Sequence, residues 1–145
     1  YNNRWFLFGM GEEVGDIENL ALDRIVEYSI SNKSFKPNVT TDFSTYFDDV
    51  IGVSKPKSDV KVENIKLRFT DNRFPYVLSK PLHHTQTIVE GESNTIQIEV
   101  RPTRELDQII FSFIPDIEVL SPDWYRASIT EKIKENLEKY SSMKV

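Results

Sequence analysis

Residues 64–70, "NIKLRFT", alternate without a break: Ile65, Leu67 and Phe69 fall on one side, Lys66 and Arg68 on the other. A period of two sends successive side chains to opposite faces, so this segment predicts a strand with one buried face. Residues 94–100, "NTIQIEV", repeat the pattern with Ile96, Ile98 and Val100 inward; with "TQTIVE" before them they predict a hairpin turning at Gly91. Between the two lies "DNRFPYVLSKP", a short helix that Pro81 stops. "TRELDQIIFSF" switches to helical spacing, with Thr103 as its cap and Leu106, Ile109, Ile110 and Phe113 as its buried stripe. "IEVL" is a last strand. "SPDWYRASITEKIKENLEKY" follows as a helix, with Ser121 as cap, Pro122 at the first helical position, and Tyr125, Ile129, Ile133, Leu137 and Tyr140 along one face. The order is β-α-β-β-α-β with a terminal helix, a ferredoxin-like half.

The earlier part is less regular. Residues 4–8 predict a strand and "GMGEEVGD" an acidic, glycine-bearing turn. "LALDRIVEYSI" predicts a second strand, with a bulge near residues 23–25 where the alternation slips. Phe43, Tyr46, Phe47, Val50 and Ile51 recur at helical spacing, so a short helix capped by Thr41 or Asp42 and ending near Gly52 is expected. Residues 54–59 carry Pro56 and little apolar content, which marks a linker between two units.

Charge and composition narrow the function. The balance of 18 − 23 = −5 disfavours broad binding to a phosphate backbone, though a local basic site remains open. Zero cysteines exclude disulfides, thiol catalysis and cysteine-ligated zinc, and make the cytoplasm the default compartment. No apolar run reaches the roughly 20 residues a bilayer needs. No G-x-S-x-G elbow, GxGxxG or P-loop occurs, and the only histidines are the adjacent His83 and His84. On a strand those two would point to opposite faces, which favours a structural or surface role over a metal or a general base. Glu12, Glu13 and Asp16 lack the calcium-loop spacing and read as a solvated loop. An enzyme, a resident metal and a cofactor are all disfavoured. The outward sheet positions Lys66, Arg68, Thr95, Gln97, Glu99 and Arg101 contain no aromatic, which suits a protein partner or polar ligand better than the stacked bases of RNA-binding sheets.

"RWFLFG" followed by "LALDRI" resembles the signature of the WYL family, whose name-giving Trp-Tyr-Leu stands here as Trp5-Phe6-Leu7. "DFSTYFDDVIGVS" resembles that family's next segment. "IKLRF", "LHHTQ", the Gly91 turn, "RELDQIIFSFIPDIEVLSPDWYR" and the closing helix resemble, in order, the WYL C-terminal extension, WCX. Each motif is short; their order over nearly the whole chain carries the resemblance. It implies a bacterial transcriptional regulator with an α+β fold. A partial SH3/Sm-like small β-barrel would occupy 1–54, a linker 55–60 and the ferredoxin-like WCX domain with its C-terminal helix 61–145. It implies further that a DNA-binding winged helix-turn-helix and the first barrel strands lie before Tyr1. The chain is then a C-terminal fragment cut inside the barrel, whose open edge favours a homodimer.

The resemblance also implies an effector, a nucleotide or single-stranded nucleic acid, bound near Arg4, Trp5 and Arg24 or near Lys66, Arg68, Arg101 and Arg104. Two departures bear on it. Phe6 lacks the hydroxyl of the family tyrosine, and Ala21 stands where many relatives carry an arginine in "FRLDRI". Arg24 is open to two roles, an ion pair around Asp23 or an anion contact. Trp5 and Leu7 share a strand face, which favours core packing, with Trp5 as a stacking platform the other reading. Cations converging on one concavity would favour an effector sensor; scattered, paired cations would favour a dimerisation module without ligand, built on the sheet face and terminal helix.

Overall fold

Phe6–Met10 (β1) and Ile17–Ala21 (β2) pair antiparallel, Phe6 opposite Ala21, in the computed structural model, which describes residues 1–10, 17–56 and 59–142. The acidic turn predicted at residues 9–16, with its Glu12, Glu13 and Asp16, lies mostly outside the described residues. The predicted second strand ends early. Leu22 N bonds the Trp5 carbonyl at 3.0 Å, Leu22–Arg24 form a 3-10 turn, and no strand follows up to Glu63 among the described residues. The residues before β1 turn back on themselves, Arg4 N bonding the Tyr1 carbonyl at 3.0 Å, so Val26, Tyr28 and Ile30 keep their alternation but stand exposed.

The face assignment of the first strand is reversed. Phe6 and Phe8 are half-buried, whereas Trp5 and Leu7 are exposed, Trp5 by 80%. Phe8 meets Phe47 edge-on at 5.0 Å and Phe43 at 6.2 Å, so its side of β1 is the packed one. The helix expected over residues 43–51 is a chain of turns instead, with i→i+3 bonds from Thr45 to Asp42, Asp48 to Thr45 and Val50 to Phe47. Asp42 does cap them, accepting from Ser44 N at 2.9 Å. Local bonds of this kind from Asp, Ser and Thr compete with helix propagation. Val50 and Ile51 are buried even so.

The second half follows its pattern closely. Glu63–Phe69 (β3), Thr87–Ile88 (β4), Thr95–Val100 (β5) and Ile117–Ser121 (β6) make one antiparallel sheet in the order β4-β5-β3-β6. Phe74–Ser79 (α1), Arg104–Ser112 (α2) and Asp123–Ser141 (α3) complete a mixed α+β architecture. Ile65, Leu67, Ile96, Ile98 and Val100 form the buried sheet face, against Val77 of α1, Leu106 and Ile110 of α2, and Tyr125 and Ile129 of α3. Phe69 and Phe113 meet edge-to-face at 5.6 Å. Thr103 caps α2, its hydroxyl accepting from Leu106 N at 3.2 Å. Thr95, expected outward, is buried, its hydroxyl donating to the Ser93 carbonyl at 2.9 Å.

The cap of α3 is Pro122 rather than Ser121. Only Tyr125 and Ile129 of its predicted stripe are buried; residues 130–142 are exposed throughout, including Ile133, Leu137 and Tyr140.

Among the described residues, Gly52 and Gly91 adopt positive φ, with different consequences. Gly91 (φ 77°) turns the hairpin in open space, whereas a Cβ on Gly52 (φ 101°) would sit 2.7 Å from Cγ of Glu105. Gly52→Ala and Gly91→Ala each incur the left-handed backbone cost of about 1–2 kcal/mol. Gly52→Ala is expected to lose more, because Glu105 must also move. Urea unfolding midpoints of the two variants check this.

Candidate functional site

Directly after β5, Arg101 ties the two halves together. Its backbone N–H donates to the Asp49 carbonyl at 2.6 Å, its Nε to Asp49 Oδ2 at 2.6 Å and its Nη1 to the Val60 carbonyl. Both side chains are only 25% exposed. Asp49 Oδ1 is buried without a hydrogen bond; Lys55 Nζ, 3.4 Å away, supplies opposite charge instead. One turn further on, the Thr103 hydroxyl donates to the Ile51 carbonyl at 3.4 Å.

This latch sits beside a groove of about 710 Å³ between the halves. The segment before β1 contributes Arg4 to its walls, β1 and β2 Phe6 and Ala21, the 3-10 turn Arg24, the seam Lys55, and the first turn of α2 Arg104 and Glu105. Four cations thus face one carboxylate. They are not equally committed. Arg4 Nε lies 3.2 Å from both carboxylate oxygens of Asp23, which its Nη2 also contacts. Lys55 donates to the Tyr46 carbonyl at 2.9 Å and stands 4.4 Å over the Tyr46 ring. Arg24 and Arg104 have no ion-pair partner among the described residues. Of the two roles open to Arg24, the ion pair with Asp23 is taken by Arg4, although after the Arg4 hydrogen bond the charge of Arg24 still helps hold the Asp23 carboxyl below its ordinary range. Tyr1 also lines the groove; burial, then the charge of Glu105, raises its phenol above the ordinary range.

Phe6 and Ala21, the two departures from the resembled pattern, are register partners and line the same groove. Its floor is apolar where a hydroxyl and a guanidinium were expected, and its cations come from neighbouring positions.

The other candidates lie elsewhere. Lys66 pairs with Glu92 at 2.5 Å, and Arg68 pairs with Glu118, which Arg126 also contacts at 2.7 Å. Arg101 serves the latch. Trp5 does not line the groove. Of the seven candidates, Arg4, Arg24 and Arg104 converge. Lys55 was missed, because a lysine in a polar seam reads as solvated linker; its only signal was its place next to Pro56. His83 and His84 lie with ring centroids 4.2 Å apart, tilted at 42°, rather than pointing to opposite faces, since residues 82–85 form a bend and turn and not a strand. His83 Nδ1 meets the Thr85 hydroxyl at 2.8 Å, and burial, then the neighbouring His84, lowers its pKa. Among the described residues, no group of three or more His, Cys, Asp or Glu side chains is placed to hold a metal ion.

Burial works against the Asp49 charge, but the Arg101 hydrogen bond and the charges of Lys55 and Arg101 outweigh it, holding the carboxyl below its ordinary range. A depressed folded-state pKa contributes stability above the unfolded value of about 3.9, lost as pH falls through the lower folded value. Asp49→Asn is therefore expected to be destabilising at pH 6 and progressively less so below about pH 4. Thermal unfolding across that range reads the convergence.

A family model described as WCX domain matches residues 61–137. No curated protein matches the chain. Among solved structures, a similar chain is proteasome accessory factor B/C (PafBC) of Arthrobacter aurescens, at 16% identity and a TM-score of 0.38; the match covers 90% of this chain and 20% of that one.

Proposed function

The chain belongs to the WCX domain family, and from that premise we propose that it is the effector-sensing region of a WYL-type bacterial transcriptional regulator. Arg24 and Arg104, brought from the two halves to one groove and without ion-pair partners among the described residues, are the observation that carries this reading. A free guanidinium contacts an anion without first breaking a native pair, and its planar fork suits phosphate. The ligand is anionic, a nucleotide or a short single-stranded nucleic acid. Because the groove is shared by both halves, a ligand there favours one arrangement of them, which a DNA-binding part of the regulator would report. The strand order β4-β5-β3-β6, with a helix between β3 and β4 and another between β5 and β6, supports a ferredoxin-like second half over 61–145. The β1–β2 ladder is read as the remnant of an SH3/Sm-like barrel over 1–54, with 55–60 as linker.

No helix among the described residues is long and apolar enough to cross a membrane. The cytoplasm remains the compartment that fits a regulator without cysteines.

Fluorescence anisotropy with short labelled single-stranded DNA and RNA tests the sensor. Saturable binding is expected, with Arg24→Ala and Arg104→Ala each weakening it by about five- to ten-fold and lowering its salt dependence. Binding unchanged by both substitutions would rule the groove out.

A second reading, a homodimerisation module, is favoured by one separate observation. Phe111 and Ile114 from around the end of α2, with Ile133, Leu137 and Tyr140 of α3, line an exposed apolar hollow of about 500 Å³. If α3 is the dimer contact, Leu137→Lys shifts the chain to monomer in sedimentation velocity while leaving its circular dichroism unchanged. A sedimentation profile identical to the unsubstituted chain would remove α3 from the interface.

A further inference from the structure

The anion groove does not end at α2. A second cavity, about 700 Å³, opens between α2 and α3, and it shares Pro102, Thr103, Arg104 and Gln108 with the groove. Arg104 thus faces both spaces, and the two meet across the first turn of α2.

Their linings differ in kind. The groove presents four cations; the cleft presents Trp124, Phe111 and the buried ring of Tyr125. Trp124 is 51% exposed, with its ring 5.5 Å from that of Tyr125 at an interplanar angle of 61°. The charges in the cleft are largely cancelled. Asp107 accepts the Tyr125 hydroxyl at 2.7 Å through Oδ1 and Lys132 Nζ at 2.5 Å through Oδ2, leaving Arg104 as the uncompensated cation. A space with open aromatic surface and little net charge is unsuited to a phosphate. It suits a planar ring, which stacks on an aromatic side chain whatever its substituents. Lone pairs remaining on Asp107 accept from an amino group on that ring.

We propose that the α2–α3 cleft is the ring subsite of the same ligand, a heteroaromatic base stacking on Trp124 while its phosphates lie in the groove and Arg104 spans the two. This inference rests on the groove's being the anion site. It also specifies the ligand: phosphate joined to a base, as in a free nucleotide or the end of a single strand, rather than a simple anion.

The protein has two tryptophans, so Trp5→Phe leaves Trp124 as the only indole reporter. The 145-residue chain carrying that change is titrated with inorganic triphosphate, ATP and a 5′-phosphorylated tetranucleotide, following affinity by calorimetry and Trp124 emission in parallel. At least one base-bearing ligand is expected to quench Trp124 and to bind about ten-fold tighter than triphosphate, which binds without quenching. A gain for ATP identifies the free nucleotide as the source, and a gain for the tetranucleotide alone identifies a strand. Trp124→Ala, made in the chain that keeps Trp5, should bring the base-bearing ligand down to the affinity of triphosphate without altering triphosphate itself. Trp124→Phe should keep most of the gain. Equal affinities for all three ligands with no quenching would overturn the ring subsite and leave the groove standing. Failure of all three to bind would overturn both.

Discussion

The groove exists because Arg101 and Asp49 hold each other. A partly buried carboxylate without its cation is strongly destabilising, so the pair constrains both partners. Arg101 meets that constraint three ways, through its own backbone N–H, its Nε and its Nη1 to the Val60 carbonyl. Residues 49–52 are thereby laid along the start of α2, close enough that Gly52 has no room for a side chain beside Glu105. The positions of Lys55, Arg104 and the β1–β2 ladder around one concavity follow from that docking.

The distribution of charge then separates structural cations from available ones. On the open sheet face, Lys66 and Arg68 are matched by Glu92 and Glu118, an arrangement of exposed pairs that contributes little to stability and leaves little field. In the groove, Arg24 and Arg104 have no ion-pair partner among the described residues. A chain of net charge −5 thus carries a local group of cations at this groove, and under the proposed reading an anionic ligand would be drawn there without the whole surface attracting nucleic acid. The α2–α3 cleft beyond Arg104 has the opposite character, aromatic and nearly neutral. Under the proposed reading, the two together would discriminate between a bare anion and one that carries a ring.

Apolar surface is divided in a similar way. Most of the core lies in the second half, where one sheet face is covered by three helices, and Ile51 of the first half joins it. Outside it, Val26, Tyr28 and Ile30 are exposed after the 3-10 turn, and Ile133, Leu137 and Tyr140 run along the second half of α3. Contiguous exposed apolar residues of this kind mark contact surfaces, and those on α3 are joined by Phe111 and Ile114 into one hollow.

Local physics was legible in the sequence wherever one element decides its own state. The strict alternation of Ile65, Leu67 and Phe69, the Thr103 cap, the Pro81 stop and the Gly91 turn each depend on neighbours a few residues away, and each is found as expected. Period alone could not say whether a strand finds a partner. Val26, Tyr28 and Ile30 alternate like β3, yet the residues before β1 close a turn instead of bonding them, and the same uncertainty of register hid that Phe6 and Phe8, rather than Trp5 and Leu7, face inward. Helical spacing at residues 43–51 was right about the burial of Val50 and Ile51 and wrong about conformation, because Asp42 and its neighbours close shorter turns first. The candidate site was half legible: arginines and their sequence neighbours can be counted, but whether a cation is free depends on which carboxylate reaches it in space. Asp23 went to Arg4, Glu118 to Arg68 and Asp49 to Arg101, and that allocation, made by tertiary packing over as many as 52 positions of separation, is what left Arg24 and Arg104 to face the groove.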